Sequence, residues 1–143
     1  MILIITHKQD YTADFVINKL NQQNIQYYRY NCEDCLTEPL TLKFGDISSL
    51  SFLSNKKITS VWYRRFKLPE VFGKDQMERT YLLEELEMHL HNLIAIIPAE
   101  KWLSYPSNIR NAENKYLQME IAVRIGFRLP KTLISNDKKQ VKE

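Results

Sequence analysis

Two adjacent arginines close the most chemically informative stretch of the sequence, Ser60-Val61-Trp62-Tyr63-Arg64-Arg65-Phe66. Val, Trp and Tyr favour a pleated, half-buried surface, so this run predicts a strand that ends at two guanidinium groups. Adjacent strand residues point to opposite faces, and at least one of Arg64 and Arg65 should emerge at a sheet edge or carboxyl rim, where α/β sheets bind ligands. Guanidinium forks suit phosphates and carboxylates. The alternative is that both are ordinary surface or ion-pair residues.

The loop after the first apolar run carries a second pair of candidates, His7 and Lys8. Residues 1–6 are an uninterrupted apolar, largely β-branched run, which is typical of a strand buried on both faces of a parallel sheet. His7 and Lys8 then fall at the carboxyl end of that strand, in a ligand-prone position. The alternative is that both side chains are simply solvated.

The basic residues are concentrated in the last third of the chain. From Lys101 onwards there are 9 Lys and Arg against 4 acids, out of 20 and 17 in the whole sequence. Such an excess favours binding of an anionic ligand, an acidic peptide or nucleic acid. The alternative is that these residues only form a solvated helix face. Arg110 and Lys115 are the anion-facing candidates here, and the alternative for Lys115 is an exposed helix lysine.

Two cysteines lie in Cys32-Glu33-Asp34-Cys35, which has the spacing of a redox motif or of half a zinc site. Zinc requires about four ligands, and the three histidines of the chain are not spaced as the missing pair. Two acids between the sulfurs would raise the thiol pKa, whereas reactive thiols need it lowered. We predict a structural or incidental pair and no metal site.

The candidates must be positioned by an α/β fold. A strand over residues 1–6, a helix that begins at Asp10 or Thr12, and a strand over residues 25–30 predict a right-handed βαβ unit. The apolar helix positions are Phe15, Val16 and Leu20. Alternating residues between 39 and 57 predict a hairpin or small meander at the sheet edge. We therefore predict a Rossmann-like, open, mainly parallel sheet flanked by helices.

A long helix should follow the Trp-Tyr-Arg-Arg strand, with Asp75 as its N-cap and Pro98 as its stop. It would be about 33 Å long. Its apolar stripe comprises Leu82, Leu83, Leu86, Leu90, Leu93, Ile94 and Ile97. This stripe is broader than one sheet contact requires, which suggests a second helix or a dimer partner.

The last part of the chain predicts a further helix and strand. The helix should follow residues 108–111 and end at Gly126, and a strand should run over residues 127–136 behind it. We predict two regions, an α/β domain over residues 1–100 and the beginning of another region over residues 101–143. The second region is expected to be truncated, because its strand continues into no partner.

The composition bounds the function. A chain of 143 residues with 44% hydrophobic and 26% charged residues is globular. It has no apolar run long enough to span a membrane and no secretory signal, so we expect a cytoplasmic protein. Its only glycines, Gly45, Gly73 and Gly126, form no phosphate-binding loop, and no catalytic triad is evident. The chain alone is expected neither to bind ATP tightly nor to turn over.

Several motifs in order resemble the ATP-grasp ribosomal peptide maturases, the microviridin-type or graspetide ligases, known as RiPP enzymes. The resemblance covers nearly the whole chain. Its motifs are Ile4-Ile5-Thr6-His7-Lys8-Gln9-Asp10-Tyr11, Trp62-Tyr63-Arg64-Arg65, Trp102-Leu103-x-x-Pro106, Asn114-Lys115-x-x-Gln118, Ala122, Gly126, Pro130-x-Thr132 and Ser135-Asn136.

The resemblance implies a pre-ATP-grasp domain followed by the start of the ATP-grasp region. In that family the complete enzyme uses ATP and Mg²⁺ to activate side-chain carboxylates of a precursor peptide as acyl phosphates, and it closes lactones or lactams. The chain would supply a cleft wall, and its partners would be the precursor peptide, downstream ATP-grasp domains and a second copy in a homodimer.

Two other readings stay open. One is a self-standing module that binds an acidic peptide or nucleic acid through the basic last third, although the aromatic residues of the chain lie in runs typical of packed strands and no recognition motif is present. The other is a receiver-like or Rossmann-like domain with a purely structural role. A receiver, however, needs acids after its first strand, where His7 and Lys8 stand.

Overall fold

The first apolar run forms a central strand of a four-stranded parallel sheet in the computed structural model. The structure describes residues 1–38, 42–43, 49–50 and 57–142. The strands are β1 (Ile2–Thr6), β2 (Tyr27–Asn31), β3 (Leu42–Lys43), β4 (Ser49–Leu50), β5 (Ser60–Tyr63) and β6 (Lys101–Leu103). The parallel sheet has the order β2-β1-β5-β6. This confirms the predicted α/β class with its open parallel sheet.

Burial explains why β1 lies inside the sheet. Leu3, Ile4 and Ile5 are almost completely buried, as expected for a run without polar alternation that is covered on both faces. Val61 on β5 is buried as well. β1 pairs with β2 on one side and with β5 on the other, so the ends of these three strands meet at one carboxyl rim.

The described residues include four α-helices and two short 3₁₀ helices. They are α1 (Tyr11–Gln22), the 3₁₀ helix Cys32–Leu36, α2 (Gln76–Ala95), α3 (Pro106–Glu113), α4 (Lys115–Arg124) and the 3₁₀ helix Gln140–Lys142. Of the two predicted N-caps for the first helix, Asp10 is the one used, and its side chain accepts from the Ala13 N–H. Asp75 caps α2 as predicted, accepting from the Glu78 N–H.

The apolar stripes of the helices are less completely buried than predicted. Phe15 on α1 is 63% exposed, and Leu82 on α2 is also exposed, whereas Leu90 and Ile94 further along α2 are buried. The strands of the main sheet have three to five residues and span at most about 17 Å, but the 20 residues of α2 span about 30 Å. A sheet this short therefore covers only part of the helix.

The predicted hairpin falls mostly outside the described residues. Of that segment, the structure describes an antiparallel pairing of β3 with β4, in which Leu42 lies opposite Leu50. These two strands form a separate two-stranded sheet and do not extend the edge of the parallel sheet. The prediction of a hairpin at the edge of the main sheet is corrected in that respect.

The predicted strand over residues 127–136 is wrong. Gly126 ends α4 with a φ of 87°, and the Phe127 N–H donates to the Ala122 carbonyl at 2.9 Å, as expected for a glycine that closes a helix. The chain beyond it pairs with no strand among the residues that the structure describes. A β-strand requires backbone hydrogen bonds to a neighbouring strand. Because this segment joins no sheet, its apolar side chains are not packed against one, and Phe127, Leu133 and Ile134 are exposed.

The chain divides into two compact units, Met1–Tyr105 and Pro106–Glu143. The first contains the parallel sheet with α1 and α2, and the second contains α3 and α4. The predicted region boundary after residue 100 stays a prediction, although β6 pairs with β5 and so belongs to the first unit. None of the described helices is long and apolar enough to cross a bilayer.

Candidate functional site

The carboxyl rim of the parallel sheet gathers polar side chains from three strand ends. Arg64 directly follows β5, and its N–H donates to the Ile5 carbonyl at 3.0 Å, which continues the ladder one residue beyond the strand. Arg65 then takes a φ of 45°, and the chain leaves the sheet direction. This backbone fixes Arg64 at the rim and turns Arg65 away from the ladder.

A buried carboxylate meets the guanidinium of Arg64. Asp10 is completely buried, and its Oδ2 accepts a hydrogen bond of 2.6 Å from the Thr6 hydroxyl at the end of β1. Its Oδ1 accepts from the Ala13 N–H at 3.2 Å. Arg64 Nε lies 2.8 Å from Oδ2 and completes the surroundings of the carboxylate. One side chain thus joins the ends of β1 and β5 to the start of α1.

The charge of Asp10 is stabilised in spite of its burial. Burial alone would raise the pKa of the carboxyl, since a charge is costly away from water. The hydrogen bonds from Thr6 and Ala13 and the positive charge of Arg64 act the other way, and together they hold the pKa of Asp10 below its usual value. Asp10 is therefore a carboxylate at neutral pH, and it balances the charge of Arg64.

The guanidinium of Arg64 is held on two sides. Its side chain is 20% exposed, and its Cζ lies 5.0 Å from the ring centre of Trp62, a cation–π contact. Nε is buried beside Asp10, and its N–H is not aimed well enough at the carboxylate to count as a hydrogen bond within the described part of the chain. Neither Nη atom donates a hydrogen bond to a described residue in this structure.

Lys8 belongs to a second polar cluster at the same rim. Its Nζ lies 2.5 Å from Asp34 Oδ1, and its backbone N–H donates to both oxygens of Glu33 at 3.2 Å. The hydrogen bond and charge of Asp34 raise the pKa of Lys8. Burial would raise the pKa of Asp34, but hydrogen bonds from Lys8 and Asn31 lower it. Lys8 is thus already neutralised by its own domain.

Arg29 on β2 organises this second cluster, a role that no local sequence pattern indicates. Its Nη2 donates to the carbonyls of His7 and Lys8 at 2.8 and 3.1 Å, and its Nε donates to Asn31 Oδ1 at 2.7 Å. Its Nη1 pairs with Asp14 on α1. Arg29 therefore fixes the backbone of the loop after β1.

His7 and Arg65 retain unused polar groups at the rim. His7 is partly buried, and its Nδ1 is shielded from solvent without a hydrogen-bond partner in the described ranges. Arg65 is exposed and makes no ion pair with a described residue. Phe66, the next residue, stacks on His91 of α2 with ring centres 5.1 Å apart, which anchors the turn behind Arg65.

Arg110 and Lys115 lie in the second compact unit, on α3 and α4. Both side chains are exposed, and Lys115 Nζ donates to Gln118 Oε1 one turn along its own helix at 3.1 Å. That contact is the ordinary surface environment of a helix lysine. An anion-facing role for either residue stays a prediction.

The two cysteines are unlinked and lie on the 3₁₀ helix after β2. Cys32 is fully buried and Cys35 is half-buried. Burial raises the pKa of Cys32 to about 12, and burial with the charges of Asp34 and Glu33 raises the pKa of Cys35. Both are thiols at neutral pH, which is typical of a structural pair. The described ranges contain no cluster of three residues able to hold a metal ion.

The two described glycines, Gly73 and Gly126, do not form a phosphate-binding loop. Phosphate binding by the backbone requires glycines that expose adjacent N–H groups. A Cβ at Gly73 would lie 2.7 Å from the Arg79 nitrogen, so this glycine serves close packing against the start of α2. Gly126 closes α4 instead. No step that depends on ATP can be built from these residues alone.

Sequence reasoning located Arg64 but missed most of its surroundings. Asp10 was expected only as a helix cap, and Asp14, Arg29 and Asp34 were not singled out. A buried carboxylate at the first helix cap and an arginine after a distant strand become partners only when β1 and β5 pair. The predicted central position of β1 could have indicated the Asp10–Arg64 pair, because the ends of the strands beside β1 lie next to the loop that carries Asp10.

Comparison with known proteins identifies the fold. A family model described as the MvdD pre-ATP grasp domain matches residues 1–110. The macrocyclase MdnC from Microcystis aeruginosa MRC, solved bound with the precursor peptide MdnA, shares 24% identity at a TM-score of 0.81, with 99% of this chain and 48% of that chain covered. No protein of curated function matches the sequence.

Two further solved structures are similar. The macrocyclase MdnB from Microcystis aeruginosa MRC is 26% identical at a TM-score of 0.79, over 99% of this chain and 49% of that one. A RiPP-associated ATP-grasp ligase from Chryseobacterium gregarium, in complex with ADP and a leader and core peptide, is 26% identical at a TM-score of 0.78, over 99% and 46%. The chain spans about half the length of these proteins.

The family match and the fold agree with the resemblance carried by the motifs, which is confirmed. The match covers more than two thirds of the chain, including β1, β5 and the rim between them. The chain therefore belongs to the family of MvdD pre-ATP-grasp domains, found in ATP-grasp ligases of ribosomal peptides.

Proposed function

We propose that this domain supplies one wall of the active-site cleft of an ATP-dependent peptide ligase that forms lactone or lactam cross-links in a ribosomal precursor peptide. The observation that carries the proposal is how the Arg64 guanidinium is held. Its guanidinium is fixed at the carboxyl rim, while neither Nη atom donates a hydrogen bond to a described residue. Such a fork can bind two oxygens of one carboxylate or phosphate.

The rim residues divide into ligand-facing and supporting groups under this proposal. Arg64 binds an anion, and exposed Arg65 adds a second positive charge beside it. His7 lies at the same rim, and its Nδ1 has no described hydrogen-bond partner but is shielded from solvent, so it would have to be uncovered to meet a ligand. Lys8 supports the site indirectly, because its charge is taken up by Asp34 and its N–H by Glu33. We infer that the anion is an acidic side chain of the precursor peptide or a phosphate.

ATP and Mg²⁺ are proposed for the whole protein and not for this chain alone. The similar ligase from Chryseobacterium gregarium was solved in complex with ADP, and the ATP-grasp ligase PsnB with the precursor peptide PsnA2 and AMPPNP. ATP, when bound, supplies the phosphoryl group that activates a carboxylate. The described glycines form no phosphate-binding loop, so the contribution of this domain is to bind and orient a substrate anion. The predicted cytoplasmic location suits such chemistry and is likewise a proposal.

A homodimer is proposed through α2. An apolar groove of about 550 Å³ runs along this helix, between it and residues 70–72. It is lined by Leu36, Glu70, Val71, Phe72, Leu82, Glu85, Leu86 and His89. Phe72 is 85% exposed, and the sheet is too short to cover this part of the helix. A second copy would remove the groove from water.

The test of the cleft role uses the complete protein that carries this domain, its precursor peptide, ATP and Mg²⁺. Arg64→Ala should lower ring formation about a hundredfold, and Arg65→Ala about tenfold, because each removes a charge-assisted contact to the anion. The measurement is the loss of one water mass per ring by mass spectrometry.

The matched control for that test is Lys57→Ala. Lys57 is an exposed cation before the start of β5, at the opposite end of the strand, and its side chain pairs with the exposed Glu100. Its removal should leave ring formation unchanged. Undiminished ring formation in the Arg64→Ala protein would refute the cleft role.

A further inference from the structure

We propose that Asp10 is a positioning residue, which holds the Arg64 guanidinium so that only its Nη edge meets an incoming carboxylate or phosphate. This inference rests on the proposed function of Arg64. It assigns to the carboxylate after β1 a role beyond capping α1. The juxtaposition is direct, since Asp10 Oδ2 lies 2.8 Å from Arg64 Nε.

Capping alone does not require a buried charge at this position. The side-chain oxygen of Asn or Ser caps a helix about as well as that of Asp. In this chain Asn114 caps α4 with a neutral side chain, accepting from the N–H groups of Tyr116 and Leu117. A charged group that is removed completely from water is expensive unless it is paired. What the charge of Asp10 adds over an amide is its attraction for Arg64.

The same contacts decide which part of the guanidinium remains available. Nε faces Asp10, the Trp62 ring lies against one face, and the backbone of Arg64 is tied to Ile5. A guanidinium has two edges that can bind an anion in a bidentate manner, one with Nε and one with both Nη atoms. The first edge is closed to a ligand because Nε is buried beside Asp10, which leaves the second edge.

Preorganisation gives the arrangement its functional value. A long arginine side chain loses rotamer entropy when it binds a ligand, and a side chain already fixed in place loses less. Asp10 is itself fixed by Thr6 and Ala13, from two different elements. Without the carboxylate, Arg64 keeps its charge but gains freedom. The affinity for an anion should then fall, although Arg64 is still present.

The experiment measures binding to the complete protein carrying this domain. Two probes are used separately, a synthetic hexapeptide of Asp and Glu and inorganic phosphate, to distinguish a peptide carboxylate from a phosphate. The variants are Asp10→Asn, Arg64→Ala, Arg64→Lys and the double variant Asp10→Asn with Arg64→Ala. Asp75→Asn is the matched control, because it makes the same substitution at the N-cap of another helix, α2, where Asp75 accepts from the Glu78 N–H.

We expect Asp10→Asn to weaken binding of the preferred probe about tenfold, and Asp75→Asn less than about twofold. Arg64→Ala and Arg64→Lys should both weaken it about tenfold or more, because lysine keeps the charge but lacks the fork. The double variant should be no weaker than Arg64→Ala alone, since Asp10 acts only through Arg64.

The outcomes separate the two proposals. If Arg64→Ala binds both probes as well as the unmodified protein does, the proposed function fails. If Arg64→Ala weakens binding but Asp10→Asn does not, or if the two effects add, the positioning role is overturned. A readout that does not depend on the Asn variant is the rate at which the arginine Nε–H protons exchange with water, measured by NMR in the unmodified protein. That of Arg64 should be at least about tenfold slower than that of exposed Arg65, and equal rates would also overturn the inference.

Discussion

Ion pairing at the carboxyl rim separates cations that support the fold from those available to a ligand. Lys8 is paired with Asp34, and Arg29 with Asp14, so the charge of each is balanced by a neighbour. Arg64 is balanced in charge by Asp10 but retains its Nη edge. Net positive charge at a site is therefore a poor guide to anion binding, and the unsatisfied donors are a better one.

Single residues were predictable from the sequence only where the local pattern determined them. Arg64 follows a β-prone run, and its place at the end of a strand could be read directly. Its partner Asp10 could not, because the pairing arises from the adjacency of β1 and β5, which no local pattern contains. Lys8 was placed correctly on the loop, yet its neutralisation by Asp34 depends on the fold after β2.

The charge of Asp10 predicts how stability changes with pH. Its pKa is lower in the folded chain than the usual value near 3.9, so the carboxylate contributes stability that is fully present above pH about 4. That contribution is lost as the pH falls through the folded pKa. Asp10→Asn should cost about 2 kcal/mol in the free energy of unfolding at pH 7, and this difference should shrink below pH 4.

Urea unfolding of both proteins between pH 3 and 7, at constant ionic strength, measures this difference. Other acids with lowered pKa values, such as Asp34, titrate in both proteins and cancel in the comparison. A difference that stays constant down to pH 3 would mean that the carboxylate of Asp10 is not specifically stabilised in the folded chain.

At the scale of elements, length decides which surfaces are covered. The 20-residue α2 extends beyond a sheet whose strands have three to five residues, and its covered part carries the buried Leu90, Leu93 and Ile94. Helical periodicity predicted the helix and its apolar stripe, because periodicity is a local property. It could not predict how far the sheet would reach, and so it overestimated the burial of Leu82.

Strands without a neighbour are the elements that sequence patterns predict least well. Residues 127–136 have the composition of a strand, but a strand requires a second one to accept its hydrogen bonds. In β1, β2 and β5 the pattern and the pairing coincide, and all three were predicted close to their observed bounds. The difference lies in the presence of a partner and not in the strength of the local signal.

The uncovered part of α2 predicts self-association. Replacing Phe72 by Glu puts a charge into the apolar groove and should weaken dimerisation at least about tenfold, because burying an unpaired carboxylate is costly. Phe15→Glu is the matched control, the same change at an exposed phenylalanine on α1. Sedimentation equilibrium gives both dissociation constants. A protein that remains monomeric without either substitution would contradict the dimer surface.

For the molecule as a whole, charge and aromatic residues must be considered together. The basic excess of the last third suggested either an acidic peptide or nucleic acid as ligand. Binding of single-stranded nucleic acid without sequence preference requires a basic groove lined by aromatic rings that are free to stack on bases. Tyr63 is buried, and Trp102 packs edge-on against Tyr105 at 4.9 Å, so these rings already have protein neighbours.

We therefore expect the 143-residue chain to show no saturable binding to a labelled single-stranded oligonucleotide at low salt. Fluorescence anisotropy measures this directly, with the acidic hexapeptide as a competitor of the same charge sign. Weak binding that disappears with modest added salt would reflect only the basic second unit, since counterion release makes such contacts strongly salt-dependent. Tight binding that falls steeply with salt and is not displaced by the hexapeptide would instead favour a nucleic-acid module. It would argue against a rim that recognises carboxylates, because a cleft wall built around one preorganised guanidinium edge selects a single anionic group and not an extended phosphate backbone.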